Sequence, residues 1–326
     1  MRALLQSIGL GKLLFHVVHR PLGALCTSLR EGGPFEQRRT AEGRAAMEEA
    51  AHRLPMPMAE PKSGPPLTLH VLSGNRFWYQ TAFCLWTLAH QSKRRLTPII
   101  YDDGTLAPAQ RDAIARIFPA ARFISPADAL RQLDLHLPVS RFPALRDRWL
   151  HYPNIRKLID PHLGATGWKL VIDSDLLFFS FPEFLVDWHD LPTVPMHAVD
   201  CESSYGYSRP LLDSLAGIPL ADFVNVGLCG LNSSEFDWPR LEHWSRTLTE
   251  REGTHYFLEQ ALFAMLVAGR PCAIAPAADY VTCPRFPEAT DCRAVMHHYV
   301  AGSKRWYFRR NWSHALQRIH VEDKSA

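Results

Sequence analysis

The sequence predicts a single α/β domain, with a mostly parallel sheet and helices on both faces. Three observations carry that expectation. From Leu67 onward, short strand-like runs alternate with helical segments of about 10–15 residues, the pattern of successive β-α-β units. One run, WKLVI at 168–172, is dominated by aliphatic residues, as a strand covered on both faces must be. The third is composition: 326 residues, 47% apolar and 21% charged, is the balance of a folded soluble protein. That balance excludes a disordered chain, a collagen-like chain and a coiled coil.

Residues 1–66 read as an extension ahead of the domain. The chain carries 36 Lys+Arg against 33 Asp+Glu, a net +3 too small to argue for nucleic acid as a partner. Nine of those bases and six of those acids fall in 1–66, so the whole excess lies there. Arg2, Lys12, Arg20 and Arg30 all precede the first acid, Glu31. Leu4, Ile8, Phe15, Val18 and Leu22 share one helical face, which would suit weak peripheral contact of residues 1–30 with an anionic membrane. Leu5, Leu13 and Val17 spoil the opposite face, and Gly9 and Gly11 weaken the helix, which favours a docked helix or a plain extension. A secretory signal is disfavoured because Lys12, His16, His19 and Arg20 interrupt the apolar stretch. Residues 31–66 read as a linker, a short charged helix followed by PMPMAEPKSGPP with five prolines in twelve residues.

The domain is then expected over 67–326. LTLHVL (67–72) is a strand, Phe77 to His90 a helix and TPIIYDDG (97–104) a strand ending in a turn. A helix from Pro108 to Phe118, the short strand ARFIS, and a helix from Pro126 follow. A helix near Ile155–Leu163 leads into the 168–172 strand, and TVPMHAV forms a later one. No stretch reaches the roughly 18 apolar residues of a spanning helix. The seven cysteines form no CxxC pair, which suits reduced thiols and a cytoplasmic location.

Chemistry concentrates where the 168–172 strand ends, because open α/β sheets bind ligands beyond the carboxyl ends of their strands. Asp173 and Asp175 flank Ser174 there. Carboxylates two residues apart on an extended chain point the same way and can share one divalent cation and its phosphates. Two enzyme classes place DxD after such a strand. In a haloacid-dehalogenase-type phosphatase the first Asp is the nucleophile and the second a general acid. That motif opens its domain and has Thr or Val two residues on, whereas here more than 100 domain residues come first and Leu177 stands in that place. A nucleotide-sugar glycosyltransferase of the GT-A type instead puts a nucleotide-binding half ahead of the motif, as here.

Four further segments narrow the comparison. HYPNIRKLIDPHL sets Arg156 17 residues before Asp173. FVNVGLCGLN (223–232) holds Asn225 and Gly227, HYFLEQALFAML (255–266) holds Glu259-Gln260, and HHYVAGSKRWYF (297–308) holds His298, Lys304 and Trp306. In this order they resemble family 8 glycosyltransferases, the group containing glycogenin and bacterial lipopolysaccharide galactosyltransferases. The counterparts there are a donor-binding arginine helix, an F-N-S/A-G strand, a D-Q-x-x-h helix and a terminal H-x-x-G-x-x-K-P-W signature. The terminal segment departs from its signature, since Gly302 stands one residue late and Arg305 replaces Pro, so His297 stays open beside His298.

The resemblance implies a GT-A domain that transfers a hexose from a nucleotide diphosphate sugar, a UDP-sugar foremost, to a hydroxyl of a glycan, lipid-linked glycan or protein. It implies retention of configuration, with Gln260 and Glu259 at the reacting carbon. Asp173, Asp175 and His298 would hold the metal. Ser174, Asn225, Arg156, Gly302 and Lys304 would meet the donor. Two carboxylates and an imidazole suit Mn²⁺ or Mg²⁺, whereas zinc more usually recruits Cys or more His. Ser73, with Gly74 and Asn75 after the first strand, holds the usual nucleotide-contact position, although a plain turn would read the same. Asp102-Asp103-Gly104 reads as a turn, and Cys272, Cys283, Cys292 and His297 are spaced too loosely for a zinc site. His197, Asp200 and Glu202 are candidates for the acceptor side. The phosphatase and a catalytically inactive sugar-nucleotide-binding module stand as the competing readings.

Overall fold

The structure is a computed structural model that describes residues 33–57 and 64–325, with side chains described up to residue 321. The segment 1–30, expected as an amphipathic or docked helix, lies outside the described residues. Among the described residues ten strands occur in chain order: β1 Leu67–Ser73, β2 Leu96–Asp102, β3 Arg122–Ile124, β4 Trp168–Ile172, β5 Leu176–Phe178, β6 Met196–Val199, β7 Val224–Asn232, β8 Ala273–Ile274, β9 Tyr280–Thr282 and β10 Met296–His298. They form a seven-stranded sheet ordered β3-β2-β1-β4-β7-β6-β8 and a three-stranded sheet ordered β5-β10-β9. In the large sheet β3, β2, β1 and β4 run parallel, and only β7 opposes its neighbours.

Strand alternation divides the core. On β4, Leu170 and Ile172 face one apolar cluster and Val171 faces the other, the two-residue period of a pleated strand. The first cluster lies under the helix Trp78–Ser92 and holds Trp78, Phe83 and Trp86. The second takes Leu145, Trp149, Trp244, Leu262 and Phe263 from helices on the opposite face. Both faces are therefore covered, as the sequence predicts. The helix Pro126–His136 starts where Ser125 accepts from the Asp128 backbone N–H at 3.1 Å and Asp128 accepts from Ser125 N–H at 3.2 Å.

The expected linker is corrected over its first half. Pro34–Ala51 is an 18-residue helix, and Met47, Ala51 and Leu54 are fully buried in the first core cluster. Trp78 Nε1 donates to Glu48 at 2.9 Å, and Trp86 Nε1 donates to the Pro55 carbonyl at 3.1 Å. Arg309 reaches back to Glu36 and to Thr40 Oγ1. This helix reads as solvated because few of its side chains are apolar. Its place is fixed instead by what neighbouring indoles and guanidinium groups require.

Candidate metal centre and active site

The acidic triplet is the connector between the two sheets. β4 ends at Ile172 in the large sheet, β5 begins at Leu176 in the small one, and only Asp173-Ser174-Asp175 lies between. Asp173 N–H donates to the Gly227 carbonyl on β7 at 2.8 Å, and Tyr299 N–H donates to the Asp175 carbonyl at 3.0 Å. One end of the triplet is thus pinned to each sheet. β10 pairs with β5 so that His298 lies opposite Leu176, which delivers its ring to the same corner.

His298 Nε2 lies 3.4 Å from Asp175 Oδ1 and 3.6 Å from Asp173 Oδ2. His297, one residue earlier on the strand, faces the other way; it pairs with Glu288 Oε1 at 2.8 Å and Tyr299 Oη at 2.9 Å. Among the described residues, Asp173, Asp175 and His298 are the one group of His, Cys, Asp or Glu side chains fit to hold a metal, with ligand atoms within 4.8 Å of one another. The ring of His298 fits over Gly227, where a Cβ would come within 2.2 Å of His298 Cε1.

The donor set matches a divalent cation. His298 Nδ1 faces Asn225 Oδ1 at 3.1 Å, while its Nε2 is buried without a hydrogen-bond partner. Lys157 holds Asp173 Oδ1, and Lys304 Nζ lies 2.9 Å from Asp175 Oδ2. The other oxygen of each carboxylate is the one turned toward His298. Two hard oxygens and one imidazole nitrogen suit Mn²⁺ or Mg²⁺.

Electrostatics bind the site together. Burial alone would lower the His298 imidazole pKa, but the Asp175 and Asp173 carboxylates outweigh it and hold it above the ordinary histidine value. Burial opposes the Asp175 anion in turn, yet Lys304 and His298 keep its carboxyl well below the usual carboxylate range. Lys157 also stays charged against burial, because Asp173 and Glu259 both face it. Glu259, 3.2 Å from Lys157, is pushed up to about 8 by burial, which Lys157 only partly offsets. One buried ammonium thus faces two carboxyl groups, those of Asp173 and Glu259.

Gln260 follows Glu259 on the helix Leu258–Val267. Its Nε2 donates to Asp200 Oδ2 and to the Ser204 carbonyl, each at 3.1 Å. Asn225 Nδ2 donates to the same Asp200 oxygen at 3.0 Å. Lys304, Asp175, His298, Asn225, Asp200 and Gln260 therefore form one chain of contacts.

Arg156 is buried on the helix Ile155–Ile159, paired with Asp160 at 2.9 Å and stacked over Trp149 at 4.6 Å. Its neighbour Lys157 is the base that contacts Asp173. Consecutive helical residues differ by about 100°, so Arg156 and Lys157 cannot both face the acids, and the count along the chain does not say which one does. Ser73 lies at the carboxyl end of β1, but its hydroxyl is buried and shared with Thr81 Oγ1 at 2.8 Å. Asp102 closes the expected turn by accepting from Gly104 N–H at 2.7 Å. Ser174 is half-buried between the two acids. Gly302 is exposed in the turn Ala301–Ser303 with open space where a Cβ would sit, and the left-handed residue of that turn is Ala301, at φ 46°. Asp200, named for the acceptor side, is instead a hydrogen-bond hub. Lys157 was missed; its only sequence signal is its place beside Arg156 in the same helix.

No family model and no curated protein matches the sequence. Among solved structures, the galactosyltransferase LgtC in complex with donor and acceptor sugar analogs covers 78% of this chain and 95% of its own, at 14% identity and a TM-score of 0.51. Mouse xyloside xylosyltransferase 1 covers 73% of this chain and 99% of its own, at 14% identity and a TM-score of 0.48. The likeness to LgtC is one of architecture, and it shows that this chain is built on the GT-A glycosyltransferase fold.

Proposed function

We propose that this chain is a metal-dependent glycosyltransferase that moves a hexose from a nucleoside diphosphate sugar to a hydroxyl acceptor with retention of configuration. The observation that carries the reading is the convergence of Asp173, Asp175 and His298 at the junction of two sheets, joined to Gln260 through Asn225 and Asp200. The dehalogenase-type phosphatase has no comparable support, because the fold is GT-A. A UDP-sugar is the first donor to try, as the family resemblance implies. The free thiols of the six described cysteines suit a reducing compartment, the cytoplasm.

A divalent cation at this site would offset the charge that builds on the diphosphate leaving group. Lys304, now resting on Asp175, can meet the same phosphates as a point charge. The donor's anomeric C–O bond to phosphate breaks, and a C–O bond to the acceptor oxygen forms on the same face. The acceptor proton passes to the departing phosphate oxygen. Gln260 suits such a route, because an amide is a poor base and a poor nucleophile and can instead stabilise charge near the anomeric carbon. Gln260 also contacts the edge of a cavity of about 480 Å³, through the Ser204 carbonyl. Ser203, Tyr207, Arg209 and Asp222 also line it, a mix of aromatic and polar groups suited to a glycan acceptor.

The test is a panel of nucleotide sugars with Mn²⁺, followed for release of free nucleoside diphosphate, with product NMR for the new linkage. An α-donor should give an α-linked product, and Gln260→Ala should slow turnover by about 10²–10³-fold with donor binding little changed. A β-linkage from an α-donor would overturn retention. Phosphate release from simple phosphomonoesters without nucleotide would favour the phosphatase instead. Donor binding without turnover, across acceptors of all three classes, would favour the inactive module.

A further inference from the structure

We infer that Asp200 is a positioning residue that sets, through two amides, both the tautomer of the metal-facing histidine and the orientation of the active-site glutamine. The inference rests on the reading above for the role of Gln260, but its histidine half stands on geometry alone.

Asp200 stands just after β6, where its backbone N–H donates to the Phe223 carbonyl at 2.7 Å. Its Oδ1 accepts from Cys201 N–H at 2.7 Å. Its Oδ2 accepts from Asn225 Nδ2 at 3.0 Å and from Gln260 Nε2 at 3.1 Å. An ionised carboxylate only accepts, so both amides must turn their NH₂ groups toward it. Each amide then has its carbonyl oxygen on the far side.

For Asn225 the consequence is specific. Its Oδ1 accepts from Gly227 N–H at 2.9 Å and faces His298 Nδ1 at 3.1 Å. An oxygen in that place demands a proton on Nδ1. In the neutral ring the lone pair is then confined to Nε2, the atom turned toward Asp173 and Asp175. An Asn225 flipped end for end would offer NH₂ to Nδ1 and favour the wrong tautomer. For Gln260, the Ser204 carbonyl takes a second amide proton at 3.1 Å, so both NH₂ hydrogens are engaged and Oε1 is left for the substrate. With three donors already on it, Asp200 is an anchor and has no spare role as a base.

The test uses the full chain and Mn²⁺ alone, without nucleotide. Asp200→Leu removes the one oxygen that both amides share, so neither NH₂ keeps the partner that fixes its orientation. Mn²⁺ affinity, read by titration calorimetry or EPR, should fall about 10–100-fold, the usual cost of losing such a supporting contact. Asp200→Asn satisfies both amides with its carbonyl oxygen in the shared place and gives up only the Cys201 N–H contact. Its Mn²⁺ affinity should stay within about threefold of wild type. No loss in Asp200→Leu, or an equal loss in Asp200→Asn, would overturn the inference. Should Asp200→Leu fail to fold, ¹⁵N-imidazole NMR of the metal-free wild type at a pH where His298 is neutral decides the matter. An Nδ1–H ring supports the inference and an Nε2–H ring overturns it. Loss of Mn²⁺ binding in Asp200→Leu but not in Asp200→Asn, in a protein that transfers no sugar, would leave the histidine half standing and remove the transferase reading.

Discussion

At the scale of single residues, the two adjacent histidines of β10 are the sharpest contrast. His298 faces two carboxylates and His297 faces Glu288 and Tyr299, so the same substitution should act on different properties. Asp173→Ala or Asp175→Ala should abolish turnover and metal-dependent nucleotide binding with the fold intact. His298→Ala should be milder, since two carboxylates and the donor phosphates still hold the ion. His297→Ala should leave the activity of folded protein near wild type and cost about 1–3 kcal/mol of stability, because Glu288 and Tyr299 lose a buried partner. Activity assays beside urea denaturation of each variant check this; a silent His298→Ala beside an inactive, stable His297→Ala would reverse the assignment. Ala301 gives a second test. Its φ of 46° lies in the region that costs an L-residue and suits glycine. Ala301→Gly should therefore be neutral or raise stability by up to about 1 kcal/mol, despite the greater freedom that glycine has when unfolded. A loss of more than 1 kcal/mol would mean that this turn holds another conformation.

Among the elements, the helix Pro34–Ala51 and the two-sheet junction differ most in how they show in sequence. β4 is plain because its aliphatic run can only be a buried strand, and the acids that follow mark its end. The helix Pro34–Ala51 hides because its packing rests on few apolar positions. Met47 is fully buried in the first core cluster, so Met47→Ala should cost about 2–4 kcal/mol. A linker residue would cost nothing measurable. The check is the denaturant midpoint at unchanged m-value. A shift within experimental error would detach this helix from the domain core.

For the molecule as a whole, acid stability follows from histidines buried in the neutral form. His70 is held near a pKa of about 3, by burial first and then by Lys169 and Arg122, and it hydrogen-bonds Tyr101 Oη at 3.0 Å. His162, also buried, lies well below the ordinary histidine value, from burial and from His70 and Lys169. The unfolded chain takes up protons near pH 6.5, whereas folded His70 does not until about pH 3. Its contribution is thus fully present above about pH 6.5 and is lost as pH falls toward 3, on the order of 5 kcal/mol at the acid end. His70→Gln should flatten the stability-against-pH curve in that window. Urea midpoints from neutral pH downward test it, and an unchanged slope would mean that other groups set the acid limit.

The sequence by itself determined the α/β order of strands and helices, the covered strand 168–172 and the acidic pair at its end. It also determined the order of the segments carrying Asn225, Gln260 and His298. These are local matters, because apolar periodicity and turn chemistry act within a few residues of the chain. Only the tertiary structure decided that His298 and not His297 faces the acids, that Lys157 holds Asp173 while Arg156 pairs with Asp160, that Ser73 is turned inward to Thr81, and that Asp200 joins Asn225 to Gln260. It also decided that a charged helix expected in a linker is part of the core. The physical reason is common to all of them. A side chain's direction depends on the twist, register and packing of elements far apart in the chain, and a hydrogen bond needs its partner within about 3 Å, which a count along the sequence does not contain.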